Sequence, residues 1–459
     1  MRLGGILPGF HLAYETWGEL SAGRKNVILL QTGLSPGSHA RSRPDAPEPG
    51  WWEEFVGPGL ALDTNRFFIV CVNVLGSCHG STGPASIDPR TKRPFALGFP
   101  SVTIEDMVRS QRLLLAHLGV DRLHAAVGSS MGGMQSLAYA ALFPDEVANV
   151  VSISAAARSY PWSIAVRFIQ RQAVLADPEW KGGDYYGGRG PLNGLHVARQ
   201  IGTLSYRGAG EWEPRFGRAR VDRGPDLREE ALARLEAPRG QEHSGPTERT
   251  AGIDPRSGRP EDAGASERTG GAAEGTSSAA EGTSSAAERT LGAAERTANS
   301  AGSSHEANPL ALAQPAAGRP GRRGEPEFPD RPGIEAARRR RFGVDFQVES
   351  YLAHQGDKFV RTYDANSYLY VSKAMDLFDL GEGQPTYEEG VGRIRARALI
   401  VGVPTDLLFP ISLQQEIAEI LISRGRDARC LTLDSIYGHD SFLVEVEALT
   451  PELKGFLET

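Results

Sequence analysis

Six short apolar runs constrain most of what this 459-residue chain can fold into. They are Val27–Leu30, Phe67–Val72, Leu123–Val127, Val150–Ser154, Ala398–Val403 and Leu431–Ile436. Bounded by Gly or Asn, such runs read as buried strands. Helical stretches lie between several of them. Glu105–Leu118 spaces Met107, Leu113, Leu114 and Leu118 along one helix, and another starts after Ser130 and runs through Leu137, Ala138 and Ala141 to Phe143. Alternating strands and helices with short loops predict a largely parallel sheet covered on both faces. From about Tyr160 to Gly390 the strand signal stops, and helical segments take over at Ile164–Leu175, Gly194–Gly202 and Ala365–Asp379. The expected organisation is an α/β core in two parts, 1–159 and 391–459, with a helical lid, 160–390, inserted between two sheet strands.

One stretch does not fit a core. Between Gln241 and Asp330 the only large aliphatic or aromatic residues are Ile253, Leu291, Leu310, Leu312 and Phe328. Inside it AAEGTSS occurs at 272–278 and again at 279–285, followed by AAERT at 286–290 and 293–297. The seven-residue period is not a coiled coil, because no position in it carries Leu, Ile or Val. Too little apolar area is available to offset chain entropy, so 241–330 is expected to be a disordered insertion within the lid. The run Arg338–Arg341 just after it reads as a solvated charge run.

Fifty Lys and Arg against 57 Asp and Glu leave a formal charge of −7. No global basic field therefore points to nucleic acid or an anionic membrane as a partner. Three Cys cannot make a disulfide framework in so long a chain, which fits a reducing compartment. The opening MRLGGILPGF has no signal-peptide pattern, and no apolar run approaches the ~18–20 residues that cross a bilayer. A soluble cytoplasmic protein is expected.

The strongest motif is Gly128-Ser129-Ser130-Met131-Gly132, followed by Gly133. It fits G-x-S-x-G, with a strand before it and a helix after it. Flanking glycines permit a turn tight enough to lift the Ser130 hydroxyl clear of the backbone. The positive end of the helix then lies beneath any developing oxyanion. Where a serine is used in this way, the base and its orienting acid follow in the order Ser, Asp or Glu, His. His439, in Tyr437-Gly438-His439-Asp440, is the histidine that lies in a loop beyond the last strand. Asp406 lies just past the strand Ala398–Val403. His117 and His124 read as structural, and His243 and His305 fall in the low-complexity stretch. The oxyanion donors are expected to be Met131 and a residue of Thr32-Gly33-Leu34-Ser35-Pro36. No metal site is evident, since Cys78-His79 lack partners at ligand spacing.

With these residues in place, the chain resembles the homoserine/serine O-acyltransferases, enzymes of the α/β-hydrolase fold. The likeness is carried by FHLAYETWGEL (10–20), GWWEEFVGPG (50–59), NVLGSCHGSTGPAS (73–86), SSMGGMQ (129–135), ARQIGTLSYR (198–207), GDKFVRTYDANSYLYVSKAMDLFD (356–379), DLLFP (406–410) and YGHDSFL (437–443). These blocks span 1–236 and 342–459. The resemblance implies Ser130 as nucleophile, Asp406 and His439 as its partners, and Leu34 with Met131 as oxyanion donors. It further implies Arg199 and Tyr206 in the substrate pocket, Asp440 toward the acceptor's amino group, and Gly33–Pro36 as the acceptor-specificity loop. Acyl-CoA is the implied cosubstrate, with no tightly bound cofactor, and a homodimer through the lid is implied. The loop TGLSPGSHARS (32–42) is similar to that of the serine O-succinyltransferases. Arg167 occupies a position where acetyl-transferring relatives tend to be neutral, and an arginine there suits the distal carboxylate of a succinyl group. Leu407-Leu408-Phe409, by contrast, resembles the acetyl-transferring enzymes. The expectation is L-serine O-succinyltransferase. Homoserine O-acetylation or O-succinylation, an ester or thioester hydrolase with the same three residues, and a non-catalytic binding module remain as alternatives.

Overall fold

Val27, Ile28, Leu29 and Leu30 have no accessible surface, and the strand they begin lies inside the sheet, as an unalternating apolar run requires. The computed structural model describes residues 1–221 and 342–459. Its strands are β1 Tyr14–Trp17, β2 Val27–Gln31, β3 Val56–Gly57, β4 Leu62–Asp63, β5 Phe68–Val72, β6 Leu123–Ser129, β7 Val147–Ile153, β8 Arg397–Gly402 and β9 Ala428–Thr432. Seven of them form one sheet in the order β1-β5-β2-β6-β7-β8-β9, and β3 pairs with β4 separately. Every pairing in the large sheet is parallel except β1 on β5.

The two sheet edges depart from expectation for one reason. Edge strands are only half buried, so they carry no continuous apolar run. β1 has no such run, with Tyr14 exposed and Glu15 beside it. At the other edge the strand is Ala428–Thr432, not Leu431–Ile436. Its residues are exposed or half buried, while the buried Leu433 belongs to the loop that follows.

Helices α1 Ile104–His117 and α2 Met131–Leu142 flank the sheet, and α1 starts at a Thr103–Asp106 capping box. Between β7 and β8 come α3 Pro161–Leu175, α4 Leu192–Tyr206, α5 Ala209–Phe216, α6 Gln347–Val360, α7 Ala365–Asp376 and α8 Tyr387–Gly392, with no strand among the described residues of that interval. α4 is longer at both ends than the expected Gly194–Gly202. It packs against both α3 and α6, and Val174, Leu195, Phe359 and Tyr368 form an apolar cluster apart from the main core. After β8 come α9 Ile411–Ser423, α10 Ser441–Val444 and α11 Val446–Leu457. The stretch 241–330, the Arg338–Arg341 run, His243 and His305 lie outside the described residues. No helix among the described residues is long and apolar enough to cross a membrane.

Candidate active site

β6 ends in the turn that carries Ser130. That residue has φ 56° and ψ −125°, a backbone conformation costly for any residue with a side chain. The surrounding contacts hold it there. The Ser130 amide donates to the Ile153 carbonyl at 2.8 Å. A Cβ on Gly128 would lie 2.3 Å from the carbonyl carbon of Gly132, and one on Gly132 would lie 2.0 Å from the Gln31 carbonyl oxygen. Both glycines are thus required by backbone crowding, which is what lets the helix start so close to β2.

Two loops from the far half of the chain complete the site. Asp406 follows β8, and His439 sits in the short turn Gly438–Asp440 after β9. His439 Nδ1 lies 2.6 Å from Asp406 Oδ2, and His439 Nε2 lies 2.8 Å from Ser130 Oγ. All three residues are buried. Asp406 Oδ1 accepts the backbone N–H groups of Leu408 and Phe409 at 2.8 and 2.9 Å, which orients Oδ2 toward the imidazole. Phe409 stacks on the ring and Phe442 meets it edge-on. With Nδ1–H donated to the carboxylate, Nε2 is left as the acceptor for the serine proton. Thr405 locks the two loops together: its hydroxyl donates to the Ser435 carbonyl at 2.6 Å and accepts the Gly438 N–H at 3.1 Å. No motif pointed to Thr405, because its partners are 30 and more residues away.

A second set of residues lies behind the serine turn. Gln31 donates to Gln111 Oε1, and Gln111 donates to Gln135 Oε1, both at 2.7 Å. Gln135 donates to the Thr32 carbonyl at 2.9 Å, and Ser136 donates to Gln31 Oε1 at 2.8 Å. All four side chains are fully buried. They tie the start of the Thr32–Pro36 loop to α1 and α2. Glutamines in apolar stretches were the available signal, and only their partners give it meaning.

The narrow cavity above Ser130 is lined by Leu34, Ser35, Tyr206, Arg167, Gln170 and His439, among others. Leu34 lines the cavity with Ser130, Met131 follows the serine as the first residue of α2, and a Cβ on Gly33 would be 3.8 Å from that of Ser130. Pro36 packs on Gly33 in the same loop. Among the described residues Ser35 Oγ and Gln170 Oε1 are buried without a hydrogen-bond partner, so two polar atoms are available to a ligand there. Sequence reasoning did not single out Gln170.

Tyr206 reaches the cavity, and burial pushes its phenol well above the usual range. Arg199 stands behind it, fully buried, with its guanidinium 5.1 Å from the Tyr206 ring and 5.0 Å from that of Phe359. It is not an exposed helix charge. Asp440 is also buried and lies 3.5 Å from Arg207 Nη2. Arg207, which sequence reasoning passed over, donates to Glu211 at 2.5 Å as well. Arg167 is not a surface charge either. It is buried at the cavity wall, and its Nε donates to Asp376 Oδ1 at 2.6 Å.

Residues 26–236 match the family described as alpha/beta hydrolase fold. Across its whole length the chain is 39% identical to a serine O-succinyltransferase of Litchfieldella anticariensis, of which it covers 95%. It is 38% identical, again over all of its length, to an L-serine/homoserine O-acetyltransferase of Streptomyces lavendulae, of which it covers 94%. The solved homoserine O-acetyltransferase from Bacillus anthracis matches 98% of this chain and 92% of its own at 22% identity with a TM-score of 0.67, a likeness of fold. The chain therefore belongs to the serine and homoserine O-acyltransferases of the α/β-hydrolase fold.

Proposed function

We propose that this protein is an L-serine O-succinyltransferase working by double displacement, with succinyl-CoA as cosubstrate and no tightly bound cofactor. The observation that carries the reading is the hydrogen-bonded chain Ser130–His439–Asp406 beneath a cavity with a buried arginine in its wall. His439 Nε2 takes the Ser130 proton while Oγ attacks the thioester carbonyl. The N–H groups of Leu34 and Met131 stabilise the tetrahedral oxyanion, and His439 returns the proton to the leaving CoA thiolate. The acceptor hydroxyl then gives its proton to His439 and attacks the acyl-serine, and Ser130 regains its proton as the O-acyl amino acid leaves. Arg199, Tyr206 and Asp440 bind the amino acid acceptor, and the Gly33, Leu34, Ser35 and Pro36 loop selects its length. Arg167 selects the acyl group: its Nη1 carries no hydrogen bond among the described residues and the side chain lines the cavity.

The second reading is homoserine O-acetylation or O-succinylation in methionine biosynthesis, favoured by the name of the Streptomyces relative, while Leu407-Leu408-Phe409 favours acetyl as the acyl group. A product activated at Cβ of serine suits replacement by a sulfur nucleophile, the chemistry that makes cysteine. We further infer a cytoplasmic homodimer with 160–390 as the lid. Three free cysteines support the compartment, and an exposed apolar face on α3 and α4 supports the dimer.

The test is a two-by-two assay of succinyl-CoA and acetyl-CoA against L-serine and L-homoserine, with products weighed by mass spectrometry. Succinyl-CoA with serine is expected to be fastest. Release of CoA that is indifferent to both amino acids would instead mark a hydrolase.

A further inference from the structure

Arg167 does not hold its carboxylate alone. One helical turn further along α3, Arg171 reaches the same group: its Nη2 donates to Asp376 Oδ2 at 2.5 Å, while Arg167 Nε donates to Oδ1 at 2.6 Å. The three side chains are 4%, 8% and 2% exposed for Arg167, Arg171 and Asp376. Hydroxyls of Ser159 and Ser372 accept one further N–H from each arginine. Among the described residues no second carboxylate pairs with either. Two guanidiniums on one carboxylate leave a positive charge without a counter-charge, in a place where an uncompensated ion is costly. That surplus borders the cavity of Ser130, where the acyl tail of a donor would lie.

We propose that Arg171 and Asp376 are positioning residues that set acyl-donor specificity. Asp376 holds Arg167 by its Nε edge, so that Nη1 is turned to the cavity. Arg171 offsets the charge of Asp376, so that Arg167 meets the distal carboxylate of an acyl group with its own charge undiminished. Without Arg171 the remaining pair would be neutral, and repulsion by Asp376 would offset part of the attraction that Arg167 exerts on the incoming carboxylate. The inference rests on the succinyl reading above.

The experiment measures kcat and KM with succinyl-CoA and acetyl-CoA for the wild type, Arg171→Met, Arg171→Lys and the double variant Arg171→Met/Asp376→Asn, with melting temperatures to check folding. In Arg171→Met, kcat/KM for succinyl-CoA is expected to fall about 10- to 100-fold, chiefly through KM, as one charge several ångströms away is lost. Use of acetyl-CoA, which has no carboxylate to place, is expected to stay within about twofold. The double variant restores one net positive charge and should regain most of the succinyl preference, and Arg171→Lys should keep it. If the single variant does not fold, these two decide. Equal losses with both donors, or no recovery in the double and lysine variants, would overturn this inference while leaving succinyl transfer standing. A wild type that prefers acetyl-CoA would remove the succinyl reading itself, and this proposal with it.

Discussion

Asp406 has its two carboxylate oxygens assigned to different work. Oδ1 accepts two backbone N–H groups and Oδ2 faces the imidazole. In Asp406→Asn the amide oxygen must take the Oδ1 place, since an NH2 there would oppose two donors. The NH2 then faces His439 Nδ1 and favours the tautomer with the proton on Nε2, which cannot accept the proton of Ser130. The variant is expected to fold normally and lose about 10³- to 10⁴-fold in kcat. Rapid-mixing measurement of CoA release would check it, and a loss below tenfold would place the acid elsewhere. Ser130, Asp406 and His439 were legible in the sequence because each sits in a short motif in a fixed chain order. Arg171, Asp376, Arg207 and Thr405 were not, because each acts through a partner that only folding brings near, and each taken alone looks like a surface or turn residue.

At the scale of elements, the buried glutamine relay joins the end of β2, α1 and α2 behind the serine turn. Gln111 is its middle member. On the outside of the same helix Arg112 pairs with Glu146, just before β7, in a half-exposed contact of the kind that contributes little. Gln111→Met removes one side chain and orphans two others, the Gln31 amide and Gln135 Oε1. Leaving these buried groups unpaired is expected to cost roughly 2–4 kcal/mol, read as a lower urea midpoint with an unchanged slope. The Thr32 end of the Thr32–Pro36 loop, proposed to carry an oxyanion donor, would lose part of its anchorage, so kcat should fall alongside. Full activity in a destabilised variant would show that the relay serves the core alone. The inner strands were legible because β2, β6, β7 and β8 are covered on both faces and so carry near-continuous apolar runs, with polar residues mostly at or near their ends. β1 and β9 lie at the edges, where one face meets water, and their sequences carry no such mark.

For the whole molecule, the helices inserted between β7 and β8 bring both cavity-lining residues and apolar side chains that are exposed among the described residues. Trp162, Phe168 and Ile169 on α3 and Leu204 on α4 are exposed by half or more. Exposed apolar side chains of this kind suit an interaction surface, which the proposed homodimer would give to a second copy of the chain. Light scattering on the wild type should return twice the chain mass of 49.4 kDa. The pair Trp162→Glu and Phe168→Glu should return the single mass, and a monomeric wild type would refute the dimer. The ends of the described segments meet, with the Val221 N–H on the Asp345 carbonyl at 3.0 Å and the Gln347 N–H on the Ala219 carbonyl at 2.9 Å. The amino-acid sequence by itself determined the parallel core, the serine turn and the order of its two partners, because burial on two faces and a crowded turn each restrict the residue types allowed at consecutive positions. Only the tertiary structure decided which charges face the cavity. Whether an arginine is a solvated surface group, one half of a neutral pair or a surplus buried cation depends on carboxylates hundreds of residues away, and no local spacing records them.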